Sequence, residues 1–208
     1  MNMITIVNYG MGNLGSILNM FNYLGFAAEI TSDPAKISQA SKLILPGVGA
    51  FDNGMQELEN KNLVEALNES VLRKKVPILG ICLGMQLMTN KSEEGGLPGL
   101  GWFDVDTIKF SFSGGQCNQL KIPHMGWNFV RPRRDSLLLK NLSENSKFYF
   151  VHSFHIPIKE NGAVLLETTY GFPFASALEK ENIMAVQFHP EKSHRYGLQL
   201  FKNFAENF

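Results

Sequence analysis

Pro77-Ile78-Leu79-Gly80-Ile81 is an almost wholly apolar run that stops abruptly at Cys82-Leu83-Gly84. It is too short for a helix and has no polar alternation, so it suits a strand covered on both faces. Such a strand needs helices above and below its sheet, which confines the chain to an α/β architecture. The flanking segments agree. Met3 to Asn8 is a β-branched run stopped by Tyr9-Gly10-Met11-Gly12-Asn13. Leu14, Ile17, Leu18, Phe21 and Leu24 then recur at helical spacing up to Gly25, with Asn13 expected to cap that helix. A second strand is expected near Ala27 to Ile30, a short helix opening at Asp33-Pro34, and a third strand at Lys42 to Leu45. Helical patterning returns at Phe51 to Glu59, and again where Leu63, Ala66, Leu67 and Val71 share a face. This βαβα alternation predicts a three-layer, open, mostly parallel sheet with helices on both faces.

The texture changes after Glu93-Glu94-Gly95-Gly96. Between Trp102 and Val130, short strands separated by polar or glycine-rich turns predict a small antiparallel excursion. Further strands are expected at Phe148 to Val151, Ala163 to Thr168, Ala175 to Leu178 and Met184 to Phe188. Leu198, Phe201, Ala205 and Phe208 are spaced for a closing helix. With 208 residues and neither linker nor repeat, the chain is expected to form one domain spanning 1–208.

Nineteen basic and nineteen acidic side chains give a formal net charge of zero, which supplies no general pull toward nucleic acid or an anionic membrane. No apolar stretch approaches the roughly 20 residues of a membrane helix, and the start lacks a signal-peptide pattern. A soluble, cytoplasmic protein is expected. The two cysteines do not make a disulfide framework, and the five histidines lack metal-ligand spacing, so neither a metal nor a cofactor is expected. Cys117 reads as an incidental loop cysteine.

Cys82 stands apart. Gly80 and Gly84 relieve crowding where a strand turns sharply into a helix, the thiol version of the elbow that lifts a nucleophile clear of a sheet. His189-Pro190-Glu191 supplies a base and a carboxylate to orient it. A thiol so placed attacks an amide carbonyl as thiolate, and the helix start favours that anion. The resulting oxyanion needs backbone donors; the amide of Leu83 is one candidate, and Pro46-Gly47-Val48-Gly49, at the carboxyl end of another strand, is a second source. The glycines of that turn permit a peptide flip on activation. Gln86, four residues past Cys82, lies on roughly the nucleophile's face. By residue type alone, Glu94 reads as solvated surface, Met125 and Trp127 as core of a small sheet, and Arg131, Arg133 and Arg134 as a solvated face. His155 and His194 suggest no role.

Several longer segments carry a resemblance. They are Tyr9-Gly10-Met11-Gly12-Asn13-Leu14, Leu45 to Phe51, Leu79 to Gln86, Ser92 to Gly95, Pro123-His124-Met125-Gly126-Trp127-Asn128, Tyr149 to Ser153, and Gln187 to Ser193. Over nearly its whole length the chain resembles the class I (triad) glutamine amidotransferases, a flavodoxin-like fold. More narrowly, it is similar to the glutaminase subunits of imidazole glycerol phosphate synthase. The resemblance implies hydrolysis of glutamine to glutamate and ammonia through a cysteinyl thioester. The ammonia would pass to a (β/α)₈ cyclase subunit in a heterodimer, for histidine biosynthesis. It implies a triad of Cys82, His189 and Glu191 and oxyanion positions at Gly49 and Leu83. It further implies substrate binding by Gln86, Glu94, His152 and Ser153, and a partner face with Asn13, Met125, Trp127 and Lys192. Two departures stand out: Gly101-Trp102-Phe103-Asp104-Val105-Asp106 replaces an apolar residue and Pro-Gly, and Phe154 stands where tyrosine is common. Neither touches the triad, but both leave room for a similar set of proteins that supply ammonia for amidination of a surface-polysaccharide sugar. A cysteine peptidase or deglycase on a related sheet, or a non-catalytic binding subunit, are the remaining alternatives.

Overall fold

A computed structural model of the chain describes residues 3–112, 120–143, 145–159 and 162–208. Cys117 therefore lies outside the described residues. In chain order the elements begin with β1 (Ile4–Val7), α1 (Leu14–Tyr23), β2 (Ala28–Thr31), α2 (Pro34–Ser38), β3 (Lys42–Leu45), α3 (Phe51–Asn60) and α4 (Leu63–Asn68). Next come a π-helical turn at Glu69–Arg73, β4 (Ile78–Ile81), α5 (Leu83–Leu87), β5 (Ile108–Lys109), β6 (His124–Phe129) and β7 (Arg131–Pro132). The chain closes with β8 (Lys147–His152), β9 (Phe154–His155), β10 (Val164–Tyr170), β11 (Phe172–Lys180), β12 (Ile183–Val186) and α6 (His194–Asn207).

Among the described residues, eight strands form one sheet in the order β2-β1-β3-β4-β12-β11-β10-β7. The five from β2 to β12 pair parallel, and the last three join antiparallel. The apolar run at Pro77–Ile81 becomes β4, buried throughout between β3 and β12. Strand alternation sorts its neighbours into two cores. Val7, Leu43, Leu45 and Ile183 meet Phe51, Leu58, Leu63 and Leu67 of α3 and α4 on one face. Ile4, Ile6, Ile44, Leu79 and Met184 meet Ile17 and Phe21 of α1 and Phe201 and Phe204 of α6 on the other. The expected antiparallel excursion takes the form of two small two-stranded sheets, β5-β9 and β6-β8.

Three local expectations need correcting. Asn13 occupies the N-cap position of α1, but its side chain makes no capping bond; only its carbonyl accepts, from Ile17 N at 3.3 Å. α6 buries Gly197, Leu200, Phe201, Asn203 and Phe204, while Ala205 and Phe208 pack at the margin of that core and Leu198 is only half-buried. Arg133 and Arg134 are not a free solvated face: Arg133 pairs with Glu167 at 2.8 Å, and Arg134 donates to the Glu179 carbonyl at 2.8 Å. Asp33 does cap α2, accepting from Ala35 N at 2.9 Å, with Pro34 in the first turn.

The chain leaves β1 for β2 on one side and then returns to β3 on the other. Loops at the carboxyl ends of β1, β3 and β4 thus converge where the strand order reverses, the usual ligand crevice of an open α/β sheet. No helix among the described residues is long and apolar enough to cross a membrane.

Candidate active site

Cys82 follows β4 directly and precedes the first residue of α5. Its N–H donates to Val186 O at 2.8 Å, and its carbonyl receives Met85 N at 3.0 Å, so the residue is held from both sides. The turn between them requires φ 54 and ψ −108 at Cys82, a backbone state that costs a non-glycine residue of order 1–3 kcal/mol. Gly84 makes the turn possible, because a Cβ there would stand 1.9 Å from the Leu45 carbonyl oxygen. The thiol side chain is 7% exposed, at the wall of a cavity of about 300 Å³.

That cavity brings together most of the residues singled out in the sequence. Gly49, Leu83, Gln86, Glu94, His152, Ser153 and His189 line it with Cys82, as do Val48, Pro123 and Phe154. Glu191 stands behind His189, its Oε1 2.7 Å from Nδ1, with both side chains almost wholly buried. Nε2 of His189 is buried without a hydrogen-bond partner among the described residues. The imidazole is fixed at its backbone too: His189 N donates to Tyr149 O at 2.9 Å, and Ser193 Oγ donates to His189 O at 2.6 Å. Burial by itself would drive the ring neutral, but the neighbouring Cys82 sulfur and the Glu191 carboxylate outweigh it and raise its pKa to about 10.

The turn at Pro46–Gly49 faces this pair. Gly49 has φ +118, in the region that favours glycine, and Tyr9 OH donates to Pro46 O at 2.6 Å from beneath. Tyr9 is fully buried, and burial first, then the Cys82 charge, raises its pKa and keeps the phenol protonated as that donor. Leu83, the first residue of α5, has by position no intrahelical acceptor for its N–H.

Gln86 is less free than its helical spacing suggests. Its Nε2 donates to Phe154 O at 3.3 Å and Gln187 Oε1 at 3.1 Å, so only its carbonyl oxygen retains capacity toward a ligand. Glu94 is exposed as expected, yet its Oε2 accepts from Phe51 N at 2.8 Å, at the head of α3. Asp52, in that same first turn, accepts from Gly96 N at 2.9 Å and Leu97 N at 3.0 Å. These bonds staple the 94–97 loop over the cavity. His152 is held well below the usual imidazole value, to about 3, by burial first, despite a bond to the Phe154 carbonyl. The ring of Phe154 is immaterial to these bonds, since its backbone oxygen is the acceptor. Trp102, the other departure, is buried, and its Nε1 donates to Asn68 Oδ1 at 2.9 Å.

Met125 and Trp127 are not core residues. On β6 they alternate with His124, Gly126 and Asn128, and Met125, Trp127 and Phe129 stand 62%, 42% and 53% exposed. Trp127 stacks on His194 with centroids 5.5 Å apart, and Lys192 Nζ lies 5.7 Å from the Tyr149 ring centroid, opposite Trp127 on the paired strand. Asn13 is exposed at the head of α1. Sequence reasoning missed Phe129, Tyr9, His124 and Gln187. Only the period-2 alternation of β6 could have signalled Phe129; the other three depend on which loops the fold brings together.

With this geometry established, the chain can be assigned to a class: it belongs to the class-I glutamine amidotransferase family, whose model matches residues 5–208. Among curated relatives, it is 54% identical to imidazole glycerol phosphate synthase subunit HisH 2 of Methanococcus maripaludis, over 97% of this chain and 98% of the relative. It is 47% identical to subunit HisH 2 of Pseudomonas aeruginosa, over 98% and 99% of the two chains. Among solved structures, a glutamine amidotransferase from Thermotoga maritima shares the fold, with a TM-score of 0.64 at 16% identity over 99% of this chain and 83% of that one.

Proposed function

We propose that this chain, as one glutamine amidotransferase domain spanning residues 1–208, is the glutaminase subunit of an imidazole glycerol phosphate synthase. In this reading it works in the cytoplasm, in a heterodimer with a (β/α)₈ cyclase subunit. The observation that carries the reading is the convergence of a strained cysteine, a carboxylate-paired histidine and a glycine turn on one cavity. The full-length similarity to HisH subunits supports the particular reaction.

The chemistry follows from the protonation of His189. An imidazole whose pKa is raised to about 10 holds its proton through neutral pH, and Glu191 fixes that proton-bearing form from the Nδ1 side. Cys82 attacks as the thiolate, and the proton held by His189 is the one available to the leaving nitrogen. Sγ bonds to the amide carbon of glutamine, and the oxyanion takes the backbone amides of Leu83 and the Gly49 turn. His189 gives its Nε2 proton to the departing nitrogen as the carbon–nitrogen bond breaks, releasing ammonia and leaving a thioester. The now neutral imidazole takes a proton from water, whose oxygen attacks the thioester and releases glutamate with the thiolate restored. At the other end of the substrate, the free Gln86 Oε1 and the Glu94 carboxylate are acceptors suited to the α-ammonium. His152 and Ser153 complete the pocket wall.

The test is reconstitution with a cyclase partner and its ribulosyl substrate. Cys82→Ser should abolish synthesis from glutamine while leaving synthesis from ammonium salts intact. Glutamine turnover persisting in Cys82→Ser would refute the mechanism. Glutamine turnover without imidazole glycerol phosphate would refute the pathway alone and point to a different ammonia acceptor.

A further inference from the structure

The cavity thiol has a polar neighbour that the triad does not use. Gln187 follows the apolar strand β12 directly after Val186, is fully buried, and places Nε2 3.8 Å from Cys82 Sγ as a donor. A side-chain amide can present either its oxygen or its nitrogen to such a neighbour, so what matters is what sets its orientation. Gln86 Nε2 donates to Gln187 Oε1 at 3.1 Å, which occupies the oxygen and turns the nitrogen toward the sulfur.

Gln86 is oriented in turn. Its amide nitrogen also donates to Phe154 O at 3.3 Å, an atom that can only accept. The same carbonyl takes His152 Nδ1 at 2.6 Å, so Nδ1 carries the hydrogen and Nε2 of that neutral ring is an acceptor. His124 Nδ1, 3.0 Å from His152 Nε2, must therefore donate, leaving its own Nε2 to accept from Asn128 Nδ2 at 3.2 Å. The far end is independently determined: Asn128 Oδ1 accepts from Phe129 N at 2.8 Å, and its amide donates to Thr169 O at 3.0 Å. From Asn128 to the Phe154 carbonyl every link has one permitted direction, and the directions deduced from both ends agree; that carbonyl accepts from His152 and from Gln86 alike. Burial holds His124 and His152 well below the usual imidazole value, so the tautomers persist through neutral pH.

We infer that Gln187 is a positioning residue of the nucleophile: it donates to the Cys82 thiolate and holds the sulfur toward the cavity, its amide oriented by Gln86, which the Phe154 carbonyl orients in turn. This rests on the reading of Cys82 as nucleophile and adds a donor distinct from the triad and the oxyanion turn. The titratable groups around the sulfur are His189 and Glu191 after β12, Tyr9 after β1, His152 on β8 and Glu94 across the cavity. Removing Gln187 changes none of them chemically.

The test is the pH dependence of Cys82 alkylation by iodoacetamide in the intact chain, followed by mass spectrometry. Gln187→Met is close in shape and removes only the donor. It should alkylate roughly tenfold more slowly at pH 7, the size expected of one charge-assisted hydrogen bond, and converge with wild type as pH rises toward about 10. Gln86→Met keeps the donor but frees the amide to turn; it should show a smaller slowing with the same convergence. Equal rates at pH 7 in both variants, or slowing that is uniform across pH, would overturn the inference. If Gln187→Met fails to fold, Gln86→Met decides alone by the same criteria. A wild-type chain that alkylates with this profile but turns over no glutamine beside its cyclase would refute the proposed function and leave the role of Gln187 standing.

Discussion

Cys82 sits at φ 54 and ψ −108 because β4 must end and α5 begin within a single residue. The strain is local, and replacing the residue with glycine removes it without touching the two cores. Cys82→Gly should therefore unfold at a higher urea concentration than Cys82→Ala, by about 1 kcal/mol, after allowing for the flexibility glycine adds to the unfolded chain. Equal midpoints would mean that the elbow stores no strain. Much at this scale was legible from the chain alone. Gly80-Ile81-Cys82-Leu83-Gly84 implies a sharp turn because only small neighbours let a helix start against Leu45. Gln187 and Tyr9 were not legible as partners of the site. A glutamine after an apolar strand and a tyrosine before a glycine turn acquire meaning only when β12, β4, β3 and β1 lie side by side.

At the scale of elements, the two-stranded β6-β8 sheet differs on its two faces. Inward, His124 and His152 join the polar chain behind the cavity; outward, Met125, Trp127 and Phe129 form an exposed apolar stripe. β8 also fixes His189 through the carbonyl of Tyr149, the cross-strand partner of Trp127. An exposed stripe costs little to remove from the free chain. Met125→Ser and Phe129→Ser should each change unfolding stability by no more than about 0.5 kcal/mol, whereas Trp127→Ala should weaken cyclase binding by about 2 kcal/mol or more in calorimetric titration. Unchanged cyclase affinity in Trp127→Ala would contradict the partner face that the resemblance implies. The alternation of β6 was readable from sequence, but which face meets the core was not, because a two-stranded sheet acquires an inside only from what it packs against.

Across the whole molecule, buried histidines dominate the expected pH dependence of stability. His124, His152 and His155 are pushed by burial to about 4, 3 and 4. Each is depressed below its unfolded value of 6.5, so each contributes stability that is complete above that pH and lost as pH falls through the folded value. His189 runs the other way: raised to about 10, it contributes fully below 6.5 and loses that contribution as pH climbs through about 10. Three groups act on the acid side and one on the alkaline side. Urea midpoints should therefore fall more steeply from pH 6.5 to 4 than from pH 7 to 10, each acid-side histidine adding up to about 1.4 kcal/mol per pH unit. A flat midpoint between pH 6.5 and 4 would contradict the neutral, buried state of these rings.

By itself the sequence determined the layered α/β architecture, the cysteine elbow and the pairing of a histidine with a nearby carboxylate. Each is encoded in short stretches, through apolar runs, glycine spacing and residues two apart. Only the tertiary structure decided which carbonyls and amides face one another across the cavity, that Gln86 is already committed to Phe154 and Gln187, and that Trp127 faces outward. Those facts depend on strand order and on hydrogen bonds between residues up to about a hundred positions apart, and local pattern carries no information about contacts that exist only once the sheet has assembled.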